Sequence, residues 1–308
     1  MKRLAFLFSG QGSQHEGMGL DFIEWSPVFR ERYEIAQKVL GWPPAELSQP
    51  EKKSDLNITI YTQPCIYIVS CVIAEALIEA NAAPHLTAGH SAGEFAALTA
   101  AGAWDFETGL RVIAERARLM HETSKPGAMA AVLGLAPEIV ELVCEEWPEG
   151  VVRAANFNSP KQTVITGEPE AVQAVAPVLK EKGARRVLPL KVSGAFHSPL
   201  MKEAQQQFAE FLERIEIQDL RIPWISNNTA KAVVDAAGVR EHIVKQFCEP
   251  VRWVDSMDVV QKECDLAVEV GPGEVLKGLV KACLPDFPCC STDSVEGIKE
   301  ALSRIFED

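Results

Sequence analysis

Leu86-Thr87-Ala88-Gly89-His90-Ser91-Ala92-Gly93-Glu94 is the stretch that decides how this 308-residue chain is read. Leu86 to Ala88 reads as a brief strand, and the alanine-rich run Glu94 to Ala101 reads as a helix. Between them stands Gly-x-Ser-x-Gly, the pattern of a nucleophile elbow. A sharp strand-to-helix turn forces its serine into a strained backbone conformation. Glycines two residues to either side let the neighbouring backbone pass without Cβ clashes. The same turn leaves the Ala92 N–H at a helix N-terminus, aimed where an oxyanion would form. Ser91 is therefore a candidate nucleophile, and Ala92 a candidate oxyanion donor.

Outward from this turn the pattern alternates. Lys2 to Phe8 is a short apolar run closed by Gly10 and Gly12, which predicts a buried strand entering a tight turn. Gln63 to Asn81 is apolar at helical spacing with Pro64 near its start, and Phe106 to Glu122 predicts another helix, carrying Arg111, Arg116 and Arg118. Such alternation predicts a mostly parallel sheet covered by helices, an α/β fold. The middle changes character. Ala128–Leu133, Val151–Ala155, Gln162–Thr166 and Arg186–Lys191 read as strands, with helices at Pro137–Trp147 and Pro169–Lys182. The order β-α-β-β-α-β is the ferredoxin-like pattern and can stand as a compact insertion. The expected organisation is a large α/β-hydrolase-like domain from 1–126 and 193–308, with a ferredoxin-like subdomain inserted at 127–192. Leu266 to Val270 reads as a further buried strand, ending at Gly271-Pro272-Gly273.

Composition narrows the function classes. A net charge of −13 argues against nucleic acid, whose phosphates need a basic footprint. The apolar run after Lys2-Arg3 is too short for a signal peptide, and Ile66 to Leu77 is interrupted and short of membrane-spanning length, so no membrane association is expected. Eight scattered cysteines without Cys-x-x-Cys read as reduced thiols of a cytoplasmic protein, with no metal site.

A nucleophilic serine needs a base, and the chain offers six histidines. His90 adjoins Ser91, but its side chain should diverge from it. His197 lies in Val192-Ser193-Gly194-Ala195-Phe196-His197-Ser198-Pro199, a loop directly after the inserted segment, where a cleft is expected. Gly10-Gln11-Gly12 is not a dinucleotide fingerprint, because the third glycine position is His15. A glycine turn at a strand's carboxyl end can still offer N–H groups to an anion. Arg116 on its helix would ordinarily face solvent; in a site it would grip a carboxylate through two N–H groups.

Together these segments resemble the malonyl-CoA:acyl carrier protein transacylase family. The resemblance runs through Phe8–Gln14, Gly17-Met18-Gly19, Gly89–Glu94, Arg116 with Met120, Asn156–Pro160, Gly194–His197, Pro250–Trp253 and Glu269–Gly273. It implies that Ser91 is acylated, that His197 is general base and acid, and that Arg116 holds the malonyl carboxylate. It further implies that the N–H groups of Gln11 and Ala92 form the oxyanion hole, and that Phe196 excludes an α-methyl branch. His197 would be oriented by main-chain or amide groups, with Asn156, Asn158 and the chain around Arg252 as candidates; His90 is a supporting residue.

The implied reaction moves malonyl from malonyl-CoA to acyl carrier protein with no cofactor, by a monomer. A free-standing polyketide acyltransferase, a serine hydrolase and a non-catalytic carrier-protein-binding subunit are the alternatives. Acidic carrier proteins should be repelled by a chain of charge −13 unless a local basic patch overrides the field, and Lys180, Lys182, Arg185, Arg186 and Lys191 form the candidate patch.

Overall fold

The computed structural model describes residues 2–122, 126–192 and 194–307; the expected boundary at Ser193 lies outside the described residues. In chain order the strands are β1 Leu4–Phe8, β2 Leu86–Gly89, β3 Ala128–Leu133, β4 Val152–Ser159, β5 Gln162–Gly167, β6 Arg186–Pro189, β7 Trp224–Ile225, β8 Ala232–Val233, β9 Leu266–Val270 and β10 Cys289–Ser291. They form two sheets. The larger runs β10-β9-β1-β2-β7-β8 and is parallel except for the β7–β8 pair at its edge.

Every residue of β1 is buried, as expected of a strand covered on both faces. Alternation sorts its side chains. Leu4, Phe6 and Phe8 join the core formed with helix Thr59–Glu79, whereas Ala5 and Leu7 pack with Leu86, Ala88, Trp253, Met257 and Leu276 on the other face. The register sets Phe8 opposite both Gly89 and Val270, so the turns after β1, β2 and β9 emerge at one edge of the sheet. Such an edge, at the carboxyl ends of parallel strands, is where α/β proteins place their ligands.

Helix Thr59–Glu79 is longer than its sequence suggested. It begins four residues before Gln63, so Pro64 lies inside it rather than at its start, and its 21 residues and apolar composition are enough to cross a membrane. It is nevertheless apolar all round because 15 of its residues are buried in the core, the other environment that such a helix fits.

The second sheet is antiparallel, in the order β4-β5-β3-β6, with helices Pro137–Glu145 and Pro169–Glu181 between its strands. Ala130, Val132 and Ile165 pack against those helices. Their alternates Met129, Ala131 and Val164 line a cavity shared with the large sheet. Strand β4 runs through Ser159, four residues beyond the sequence estimate. Its extra length docks on the main body, where Phe157 N–H donates to Val251 O and Val251 N–H to Ala155 O, both at 2.8 Å.

Candidate active site

The turn after β2 has the strained geometry its glycines foreshadow. Ser91 takes φ 51°, in the left-handed region that a side chain rarely occupies. A Cβ on Gly89 would lie 2.1 Å from the Gly93 carbonyl carbon, and one on Gly93 would lie 2.2 Å from Phe8 O. Asn227, just after β7, clamps the strained turn from below. Its Oδ1 accepts the Ser91 N–H at 2.8 Å and its Nδ2 donates to Gly89 O at 2.6 Å.

His197 also has positive φ, at 58°, and the loop it ends brings its Nε2 to 2.8 Å from Ser91 Oγ. Its Nδ1 lies 2.8 Å from Gln246 O and 3.2 Å from Glu249 O. Carbonyl oxygens only accept, so Nδ1 carries the hydrogen and Nε2 is left as the acceptor for the serine O–H. Burial, followed by the nearby Arg116 charge, lowers the imidazole to about 3, so it is neutral at neutral pH.

Three arginines on one helix have different fates. Arg111 and Arg118 form exposed ion pairs with Glu107 and with Glu115 and Glu122. Arg116 follows Val112 and Ile113 on the inward stripe and is 0% exposed. Its guanidinium lies over the Phe95 and Phe247 rings at 5.4 and 5.6 Å. Gln246 Oε1 accepts from Nε at 3.0 Å and from Nη2 at 2.7 Å; Gln63 Oε1 accepts from Nη1 at 2.7 Å, and Ser91 Oγ accepts from Nη2 at 3.1 Å.

Ser91 and His197 open on a cavity of about 600 Å³ between the sheets, lined also by Gln11, His90, Met120, Asn156, Asn158, Lys191 and Phe196. Gln11 is carried into the wall by the β1 turn, which packs so tightly on the elbow that a Cβ on Gly10 would lie 2.2 Å from His90 O. Ala92 is the residue before helix Gly93–Ala101. Among the described residues neither the Gln11 N–H nor the Ala92 N–H donates to a protein acceptor.

The amides expected to orient His197 do something else. Asn158 Oδ1 accepts from His90 Nε2 at 2.8 Å, Asn156 sits in the cavity wall beside the β4–Val251 junction, and Arg252 N–H donates to Asn227 O. His197 is held by main-chain carbonyls, but those of Gln246 and Glu249, a few residues before Arg252. Burial lowers His90 from its ordinary value, and its ring lies tilted by 58° beside Trp253, with centroids 5.3 Å apart.

Four polar residues of this network escaped the sequence reading: Gln63, Glu94, Asn227 and Gln246. An acidic residue is common in a helix's first turn, as Glu94 is, and Ser226-Asn227-Asn228-Thr229 has the composition of a turn. The available signal was Gln63 itself, a polar residue early in a long apolar helix. All eight cysteines are free thiols, and among the described residues no group of three or more His, Cys, Asp or Glu is placed to hold a metal ion.

Residues 5–298 match the acyl transferase domain family. The malonyl CoA-acyl carrier protein transacylase of Bacillus subtilis is 35% identical over 100% of this chain and 99% of that protein. The Escherichia coli K12 transacylase is 36% identical over 98% and 99%. Among solved structures, the transacylase of Coxiella burnetii superposes with TM-score 0.95 at 32% identity, covering 99% of this chain and 98% of that one. A malonyl-transacylase in complex with its type II PKS acyl-carrier protein gives TM-score 0.94 at 36% identity, over 98% and 99%. A family match across nearly the whole length, around a serine whose oxygen contacts both a histidine and a buried arginine, assigns this chain to the acyl transferase domain family.

Proposed function

We propose that this protein is an [acyl-carrier-protein] S-malonyltransferase, moving malonyl from malonyl-CoA to the phosphopantetheine thiol of acyl carrier protein through a Ser91 ester. The observation that carries the reading is the contact of one oxygen with two groups. Ser91 Oγ lies 2.8 Å from His197 Nε2 and 3.1 Å from Arg116 Nη2, so a base and a carboxylate anchor converge on the nucleophile. The full-length relatives named as malonyl transacylases support it.

In the first half-reaction His197 Nε2 takes the Ser91 proton as Oγ attacks the thioester carbonyl. The Gln11 and Ala92 N–H groups receive the oxyanion. The C–S bond then breaks, and the coenzyme A sulfur leaves with the proton from His197. In the second half, the carrier thiol gives its proton to His197 and attacks the Ser91 ester. Ser91 Oγ departs and recovers that proton. Arg116 breaks no bond; it selects and positions the malonyl carboxylate, and Phe196 in the cavity wall opposes an α-methyl branch. No cofactor is required by these steps.

In finer detail, we read the large sheet as an α/β-hydrolase-like body with segments 1–126 and 193–308, and residues 127–192 as a ferredoxin-like insertion. The second sheet's strand order supports the latter. Cytoplasmic residence is supported by the eight free thiols. A hydrolase would ordinarily place an Asp or Glu on His197 Nδ1, where this site has two main-chain carbonyls. The chemistry is the same for fatty-acid and polyketide pathways, and we take fatty-acid biosynthesis as the working assignment. The test is coenzyme A release from malonyl-CoA with and without carrier protein. Release limited to one equivalent until holo carrier is added supports transfer, and sustained release to water supports hydrolysis.

A further inference from the structure

We propose that Glu94 is a positioning residue of this site, its carboxylate setting the polarity of a hydrogen-bond chain that holds the Ser91 elbow on one side and Arg116 on the other. The inference rests on the malonyl-transfer reading and deepens it. Glu94 is 1% exposed, in the first turn of helix Gly93–Ala101. One carboxylate oxygen, Oε1, accepts the Asn227 N–H at 2.7 Å, and the same Asn227 clamps Ser91 N–H and Gly89 O. The other, Oε2, accepts from Gln246 Nε2, which also donates to Ser91 O at 2.9 Å.

The direction of every bond in this chain is forced. A guanidinium has donors only, so Gln246 must turn its oxygen to Arg116 and its NH₂ to Glu94. A backbone N–H has only a donor to offer, so Glu94 must present an acceptor to Asn227 as well. An ionised carboxylate, accepting at both ends, satisfies both neighbours. An isosteric amide at position 94 cannot. Its oxygen goes to Asn227, its NH₂ then faces the Gln246 NH₂, and the only relief is to flip Gln246 and confront Arg116 with a second donor. Glu94 therefore fixes the oxygen that aims Arg116, and with it the N–H groups left for the malonyl carboxylate.

Charge follows the same path. Arg116 is the charged group facing Glu94, while His90 and His197 share the pocket and are held neutral by burial; Glu249 accepts from the Asn228 side-chain amide. Burial pushes Glu94 up to about 8, against the pull of its two N–H donors and Arg116. Above that value the chain is matched; below it, a proton on the oxygen facing Gln246 meets an N–H. Preference for malonyl over acetyl should therefore rise with pH as Glu94 ionises, up to the point near 9 where Arg116, lowered by the same burial, gives up its own proton. The ratio of the two donors cancels effects of Ser91 and His197 common to both.

The experiment measures Ser91 acylation from malonyl-CoA and from acetyl-CoA, by rapid-quench intact-protein mass spectrometry between pH 6 and 9, in the wild-type chain and in Glu94→Gln. Glu94→Gln should lower malonyl loading about 10- to 100-fold, the usual worth of a hydrogen bond to a charged group, and lower acetyl loading less. It should also flatten the pH dependence of the malonyl-to-acetyl ratio. Equal losses for both donors, or an unchanged pH profile in the variant, overturn the proposal. If the variant does not fold, the wild-type ratio decides: a flat ratio from pH 6 to 9 overturns it. Failure of the wild-type chain to load malonyl on Ser91 at all would instead overturn the transferase reading.

Discussion

Arg116 Nη2 stands 3.1 Å from Ser91 Oγ. A cation touching the nucleophile restricts which acyl chains can be held. Once Ser91 carries an acyl ester, a carboxylate that meets the guanidinium must come from a short dicarboxylic acyl group folded back towards its own ester. Arg116 still has N–H capacity for it, since Gln246 and Gln63 occupy three of its five hydrogens and the fourth faces Ser91 Oγ. Arg116→Ala should therefore lose about 2–5 kcal/mol in malonyl transfer, the cost of removing one partner of a buried charge pair. Acetyl transfer should fall far less or improve. Steady-state kcat/KM for the two donors checks this, and equal losses would make Arg116 structural.

Phe196 is nearly fully buried and faces the same cavity as Ser91 and Met120. Phe196→Ser removes the ring and leaves room beside the acyl α-carbon. Methylmalonyl turnover should rise relative to malonyl by a factor of about 10 or more, the scale on which pockets discriminate a methyl group. Competition between the two thioesters measures the ratio directly. A ratio unchanged by the substitution removes Phe196 from the specificity wall.

His197 ties activity and stability to pH with opposite consequences. Burial holds its folded value near 3 against an ordinary 6.5, so the folded protein keeps the ring neutral where the unfolded chain protonates it. The group's contribution is level above about pH 6.5 and turns against folding as pH falls from there towards 3. Urea unfolding at pH 7.5 and 5.0 should show the loss, and His197→Gln should show less of it. Acetyl loading, which makes no use of the Arg116 charge, should lack an acid limb between pH 6 and 7.

The candidate docking patch lies along the chain that leads into an edge strand. Strand β6 terminates the second sheet, and Leu188 and Leu190 on and after it are 43% and 38% exposed. Lys180, Lys182, Arg185 and Arg186 are exposed on the chain leading into and starting this strand, and Lys191 reaches the cavity rim. Reversing charge at Lys182 and Arg186 should weaken transfer to carrier protein and flatten its salt dependence. Loading from malonyl-CoA should stay near normal. Carrier transfer unchanged across a salt series places docking elsewhere.

Some of this architecture is visible in the chain and some is not, for physical reasons. Helix Phe106–Glu122 and strands Ala128–Leu133 and Leu266–Val270 have the limits their residues suggest, because local periodicity and flanking glycines determine them. Arg116 is buried where an arginine on a helix ordinarily faces solvent, because it stands three and four positions after Ile113 and Val112 on the inward stripe. Strand β4 overran its estimate because Asn156, Asn158 and Ser159 are polar, and it is pairing with β5 and the long-range bonds to Val251 that keep the segment extended. Glu94, Asn227 and Gln246 were invisible for the same reason. They sit 133 and 152 residues apart along the chain from Glu94, and only the folded sheet brings them together.

The central claim is that Ser91 Oγ carries the malonyl group. Intact-protein mass spectrometry after brief incubation with malonyl-CoA, on wild type and Ser91→Ala, tests it most directly. Wild type should gain one malonyl group, which holo carrier protein then removes, and Ser91→Ala should gain none while transfer falls by several orders of magnitude. A malonyl adduct persisting on the Ser91→Ala protein would contradict the account.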